Sequence, residues 1–441
     1  MIDESSEDAG SKGKEEWMTA DLHIHSRFSR ACSKDLNIPN LVKWARIKGL
    51  NLLGTGDFSH PIWIQELKDN LEERNGLYYY DGFPFIITGE ISLIYTQGRG
   101  RKVHLVLLIP SIEVAEKINA YLDTKGRRDY DGRPIFKISC EEFVREMMAI
   151  DDMIEVIPAH IWTPYFGVFG SMSGFDSLKE AFGSQVEKIH AIETGISSDP
   201  EMNAKIKELD DKAIVSFSDS HSFWPYRLGR EATIFKKTDS YTGLIEQIRN
   251  KTFIGTIETD PAYGKYHFDG HRNCNFSCSP EETRDLKGVC PKCGKPLTLG
   301  VDYRVENLAD KHDGLETKKY FTLLPLHEII SLSVGVGMQS KRVWSVYNNL
   351  IEKFGNEFEV LIHVSREDML AKGIDARLVG LIMKNRSGGI EVKPGYDGEY
   401  GVALLGGESS SKPTPTEEKI KSTGITPVSD EPGSVQQKTL F

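Results

Sequence analysis

From Trp17 to Glu258 the chain alternates short apolar runs with amphipathic stretches. One unit is legible in full. Asn37 can cap a helix whose first turn holds Pro39, with Leu41, Trp44, Ala45 and Ile47 at near-helical spacing and Gly49 as its stop. The apolar run Leu50 to Leu53 follows and closes on Gly54-Thr55-Gly56-Asp57. Similar runs are Phe85 to Thr88, Val103 to Ile109, Ile154 to Ile157, Ile189 to Ile192 and Ile214 to Phe217. Short runs with a helix or loop between neighbours predict an α/β fold built on a parallel sheet or a (β/α) barrel. Residues 19–258 span about the length of one barrel.

The pattern then changes. Residues 262–308 are poor in apolar side chains and hold four of the six cysteines, which predicts a zinc-binding module. Residues 309–400 predict a mainly helical C-terminal domain, with Leu326 to Ser333 and Lys341 to Phe354 as its clearest helices. Residues 401–434 are polar and rich in Ser, Thr, Pro and Gly, a flexible linker, and residues 435–441 turn apolar again. Residues 1–18 read as a disordered tail.

Hydrophobic residues make up 39% of the 441, enough for folded cores, and no run reaches the ~18–20 residues of a membrane span. The acidic N-terminus is unlike a signal peptide, so a cytoplasmic protein is expected. A net charge of −11 argues against a generic nucleic-acid coat. Six acids and two lysines in residues 1–16 account for part of it, and the loops Gly98 to Lys102 and Lys125 to Arg128 stay basic. Those loops are either solvated turns or phosphate contacts.

The informative chemistry is the placement of histidines and acids. His23 and His25 stand two apart on a predicted strand and share a face. Asp57 and Glu90 end the next strands, His104 lies inside one, His160 follows Ile157-Pro158-Ala159, and Asp219 and His221 follow Phe217. In a barrel such positions converge on one mouth. Burying so many ionisable groups together is costly unless they share cations. Mixed His and carboxylate ligands suit zinc, manganese or iron. The loop Trp162 to Phe175, rich in aromatics and glycine, is a candidate pocket wall.

This series resembles the polymerase-and-histidinol-phosphatase (PHP) family of metal-dependent phosphoesterases. The resemblance implies a distorted (β/α)7 barrel, two or three divalent metals (zinc, manganese or magnesium) and ligands His23, His25, Asp57, Glu90, His104, His160, Asp219 and His221, with Asp219, His221 and Glu90 catalytic. One departure is plain. The family's Thr-Asp-His reads Gly56-Asp57-Phe58 here, with His60 nearby as an open substitute.

Cys274-x3-Cys278 and Cys290-x2-Cys293 have the spacing of a structural zinc site; His267 and His271 lie close, but the four sulfurs already complete a closed site. Gln436, Leu440 and Phe441 resemble the short peptides that bind sliding clamps, either PCNA or a bacterial clamp. The barrel, cysteine module, helical domain and tail together are similar to the endonuclease Q family over residues 19–400. That resemblance implies a DNA substrate, cut 5′ to hypoxanthine, uracil, xanthine or an abasic site. The alternative implied by the barrel alone is a small-molecule phosphatase of the histidinol-phosphatase type.

Overall fold

The computed structural model describes residues 17–310 and 316–404. Eleven strands form one sheet. Its main path runs from Lys319–Thr322 through Gly255–Glu258, Ala232–Lys236, Trp17–Asp21, Leu52–Gly54 and Phe83–Gln97 to Leu77–Tyr80 and Glu72–Arg74. Arg99–Ile109 branches from Phe83–Gln97 and carries Glu155–Pro158. Ala191–Glu193 and Ala213–Val215 make a separate parallel pair. Ile161 N–H donates to Glu193 O at 3.0 Å, and Ser216 N–H to Thr233 Oγ1 at 3.0 Å, so this pair bridges the strands around 158 and 232.

The architecture is mixed α/β, but the strands are not all parallel. Trp17–Asp21 pairs in parallel with Leu52–Gly54, and that strand with Phe83–Gln97. Phe83–Gln97 and Arg99–Ile109 are antiparallel because Gly98 alone joins them, at φ +69°. A connection so short cannot make the crossover a parallel pair needs. The expectation that Glu90 ends a strand fails for the same reason: the hairpin prolongs its strand to Gln97.

The predicted helix is Ile38–Lys48. The Asn37 side chain accepts the Asn40 N–H, and Gly49 closes the helix at φ +99°. Its inner face is Ile38, Leu41, Val42 and Ala45; Lys48, which no apolar pattern marks, is buried as well. The C-terminal segment begins in the sheet, since Lys319–Thr322 pairs in parallel with Gly255–Glu258. Leu326–Val334 and Lys341–Phe354 then form the two expected helices, followed by Arg366–Ala371 and Ala376–Arg386. No helix among the described residues is long and apolar enough to cross a membrane. The linker expected from residue 401 starts later, because Val402–Leu404 is a strand paired antiparallel with Glu391–Lys393; residues 405–434 and the candidate clamp peptide with Gln436, Leu440 and Phe441 lie outside the described residues.

Candidate metal centre

The strand Trp17–Asp21 ends just before the first two histidines, and a single parallel bridge between Ile24 and Ser220 keeps the chain extended past them. His23 and His25 therefore keep a common face. Glu90 sits opposite Val106 and Ser92 opposite His104, which places Glu90 and His104 diagonally on one face of the hairpin. Asp57, His160 and Asp219 follow strand ends at φ +47°, +32° and +48°. Left-handed backbone is uncommon for residues with a side chain, and three such positions at one site mark a functional constraint.

Two sets of donor atoms result. His23, His25, Glu90 and Asp219 form one, and Glu90, His104 and His160 the other, each with its donor atoms within 4.8 Å of one another. Glu90 belongs to both. Its Oε2 lies 3.6 Å from His23 Nε2 and 3.4 Å from His25 Nε2, while Oε1 lies 2.7 Å from His104 Nδ1 and 3.2 Å from His160 Nε2. Asp219 Oδ1 is 3.0 Å from His25 Nε2 and 3.5 Å from His23 Nε2. Ligands ~2 Å from a common ion stand roughly 3 Å from each other, so these separations fit shared cations. His23 Nε2, buried and without a hydrogen-bond partner, points to the same conclusion.

The other predicted residues have different places. Asp57 accepts from His25 Nδ1 at 2.9 Å, the Ser26 N–H at 2.7 Å, the Ser26 hydroxyl at 2.6 Å and the Ser29 hydroxyl at 2.9 Å. With its oxygens so occupied it orients His25 and lies outside both donor sets. Burial works against its charge, but His25 and these donors hold its carboxyl below the ordinary range. His221 also lies outside the sets. Its ring is 4.3 Å from that of His25, and its Nδ1 is 3.0 Å from the Asp219 carbonyl. Burial and the neighbouring His25 lower its pKa. Phe58 fills core space where the family has histidine, and it presses so closely on Gly89 that a Cβ there would lie 2.6 Å from its ring. His60 stacks on Phe28 with ring centroids 4.2 Å apart and joins neither set.

Sequence reasoning missed two members of the site. Glu193 accepts from His23 Nδ1 at 2.8 Å and from the His160 N–H at 2.7 Å. Its signal was an acid closing the run Ile189 to Ile192. Arg133 donates to Glu90 Oε2 at 3.0 Å from a loop that no periodicity singles out. Burial disfavours charge on Glu90, yet His104 and Arg133 hold its carboxyl well below the ordinary range.

The chain aligns with the crystal structure of the lesion-specific endonuclease PfuEndoQ of Pyrococcus furiosus at a TM-score of 0.80 and 31% identity, over 88% of this chain and 95% of that one. The chain belongs to the endonuclease Q family. An endonuclease Q structure in complex with a 27-mer duplex substrate carrying an abasic lesion at its active site aligns at a TM-score of 0.79 and 31% identity, covering 88% and 96%. Residues 325–389 match the MJ0043 C-terminal domain. The uncharacterized protein MJ0043 of Methanocaldococcus jannaschii is 32% identical over 289 residues, 63% of this chain but only 34% of that protein. YqxK of Bacillus subtilis is 27% identical over 405 residues, 87% of this chain and 98% of its own.

This endonuclease Q chain has a second group of metal-binding type. His271, Cys274, Cys290 and Cys293 bring their ligand atoms together. Cys278, expected as the fourth ligand, is not in that set. Its sulfur lies 3.2 Å from Thr283 Oγ1, and it packs in the module's small core with Leu297. The strand pair Asp269–His271 and Phe276–Cys278 explains the exchange, because it sets His271 directly opposite Phe276 and carries its ring to within 3.3 Å of Cys293 Sγ. Of the basic loops, Arg101 is buried and spent on Gln97 O, Gly174 O and Glu180. Lys125, Arg127 and Arg128 pair with Glu142, Asp129 and Asp123. In the loop Trp162 to Phe175, Trp162, Phe169 and Phe175 are core; Tyr165 is exposed and Phe166 lies 4.2 Å from the His104 ring.

Proposed function

We propose that this chain is a metal-dependent DNA endonuclease that hydrolyses the phosphodiester 5′ to deaminated bases or abasic sites. The observation that carries the reading is Glu90 standing in two adjoining donor sets, in a chain so similar to a lesion-specific endonuclease. His23, His25, Glu90 and Asp219 would hold one divalent ion, and Glu90, His104 and His160 a second, within a PHP-type barrel. Such a pair supplies an activated water and charge neutralisation on the phosphate.

The chain's own residues divide the remaining work. Asp57 and Glu193 fix the rings of His25 and His23 through their Nδ1 atoms, leaving each Nε2 turned inward. Arg133 and His221 lie at the rim, with 27% and 32% of their side chains exposed, where a backbone phosphate approaches. The Arg133 guanidinium neutralises a phosphate oxygen. His221 donates from Nδ1 to the Asp219 carbonyl, which leaves Nε2 free to accept a proton from water. Water oxygen bonds to phosphorus and the P–O3′ bond breaks, giving 3′-hydroxyl and 5′-phosphate ends. Zinc held by His271, Cys274, Cys290 and Cys293 would be structural, and a clamp-binding role for Gln436, Leu440 and Phe441 belongs to the same reading.

The test uses labelled duplexes with hypoxanthine, uracil, xanthine or an abasic site, incubated with added metal, and the nick mapped. Cleavage one bond 5′ to the lesion is expected, with loss in Asp219→Asn. Wild-type protein that cuts none of these duplexes but hydrolyses phosphate monoesters would replace this reading with the small-molecule phosphatase.

A further inference from the structure

Beside the metal centre lies a cavity of about 330 Å³ whose walls include Ile196, Tyr263, Arg227, Arg230, Thr259 and Glu328. Two of its walls adjoin residues that pack on the centre. Ile196 follows Gly195, which packs so tightly on His160 that a Cβ would stand 2.6 Å from the His160 Cβ. Arg230 donates to the carbonyl of Ser218, the residue before Asp219, at 3.3 Å.

Some of its polar atoms lack partners. Arg230 Nε and Thr259 Oγ1 are buried with no hydrogen bond, and Arg227 makes no side-chain hydrogen bond or close ion pair among the described residues. Other arginines are paired, as Arg27 is with Glu66, Arg128 with Asp123 and Arg304 with Asp176. Glu328 faces both Arg227 and Arg230, and Glu231 faces Arg230 as well. Buried polar groups left unsatisfied are costly, and a bound anion would relieve the cost. The cavity falls within the ~300–1,000 Å³ of small-ligand sites, and its remaining walls are mostly apolar.

We infer that this cavity takes one nucleotide of the DNA strand flanking the scissile phosphate, with its phosphate on Arg227 and Arg230 and its sugar or base against Ile196 and Tyr263. The inference rests on the nuclease reading and adds a subsite to it. Guanidiniums suit this role because their planar donors match phosphate oxygens.

A methylphosphonate scan tests it. Lesion duplexes with one neutral linkage, moved along the cut strand, are bound without metal by the wild-type protein and by Arg227→Gln. One or two adjacent positions should weaken wild-type binding roughly ten- to hundredfold and weaken the variant no further. The variant's slope of log affinity against log salt should fall by about 1. If every neutral linkage costs the variant what it costs the wild type, while both still nick DNA, the subsite is refuted and the nuclease reading stands. If no linkage responds but thymidine monophosphate binds and Arg227→Gln abolishes that binding, the pocket serves a free nucleotide and the strand inference falls. Wild-type protein that binds no duplex overturns both. The wild-type arm locates the contacted linkage on unaltered protein, and nicking by Arg227→Gln shows that the variant is folded.

Discussion

Lys48→Met should destabilise the protein by about 3–5 kcal/mol, the cost of breaking a buried ion pair from one side. The Lys48 side chain is 1% exposed and that of Glu357 is 0%. Lys48 Nζ lies 2.7 Å from Glu357 Oε1 and 2.8 Å from the Pro225 carbonyl. Glu357 also accepts the Leu326 N–H at 3.0 Å and the Tyr347 hydroxyl at 2.9 Å. Methionine keeps most of the aliphatic stem, so the loss isolates the charge. It strands a carboxylate that two neutral donors cannot compensate, and it leaves the Pro225 carbonyl without its ammonium. The double variant Lys48→Met/Glu357→Gln removes both charges and should recover most of the loss, because a neutral amide costs far less to bury. Urea unfolding at matched slope gives the numbers. Pro225 lies in the loop that carries Asp219 and His221, so cleavage should fall in the single variant with DNA affinity retained. A single variant losing less than about 1 kcal/mol, or a double variant losing as much as the single, would refute the reasoning.

Three further outcomes follow from the geometry. Asp57→Asn should lower metal retention or activity roughly ten- to hundredfold by releasing the His25 ring; unchanged metal content and cleavage would show that the Ser26 and Ser29 contacts suffice. His271→Ala should lose zinc on dialysis while Cys278→Ala retains it, read by metal quantification; the opposite result would restore the four-sulfur site. Glu258, raised from 4.5 to about 7 chiefly by burial, with the nearby Asp199 adding to it, should make stability fall with rising pH. A carboxyl with a raised folded pKa stabilises fully below about pH 4.5 and loses that contribution as pH rises through about 7, on the order of 3 kcal/mol here. Glu258→Gln should flatten the decline in Tm between pH 5 and 8, and an unaltered decline would assign it to other groups.

Periodicity exposed what repeats and missed what is singular. The helix from Ile38 was legible because cap, proline, apolar spacing and stop glycine all agree. Strand polarity was not, because an apolar run looks the same in a parallel and an antiparallel sheet; for Phe83–Gln97 and Arg99–Ile109 the single-residue connection at Gly98 decides it. The histidines and acids that gather around Glu90 were found through their recurrence at successive runs. Glu193 carried a signal, one acid after one run, that was not taken up, whereas Arg133 is one arginine in a loop that only three-dimensional proximity separates from surface charges. His271 was passed over because sulfur spacing already offered four ligands. The strand pairing that turns it toward Cys293 depends on register, which cysteine spacing does not encode.

The missing histidine at Phe58 ties these observations together. In a site assembled from strand ends, a residue is a ligand only if its backbone aims it inward. Asp57 at φ +47° turns its carboxylate to the seryl groups and His25, and the next side chain is carried away into the core against Gly89. A histidine at Phe58 would have to leave that packing to reach a metal. The same inversion at His160 and Asp219 does the opposite and presents their side chains to Glu90 and His25. Which donor atoms the centre can offer an ion is thus set by backbone conformation at three turns as much as by residue type. On this argument Phe58→His would cost core packing without adding a ligand, and the metal content of that variant should match the wild type.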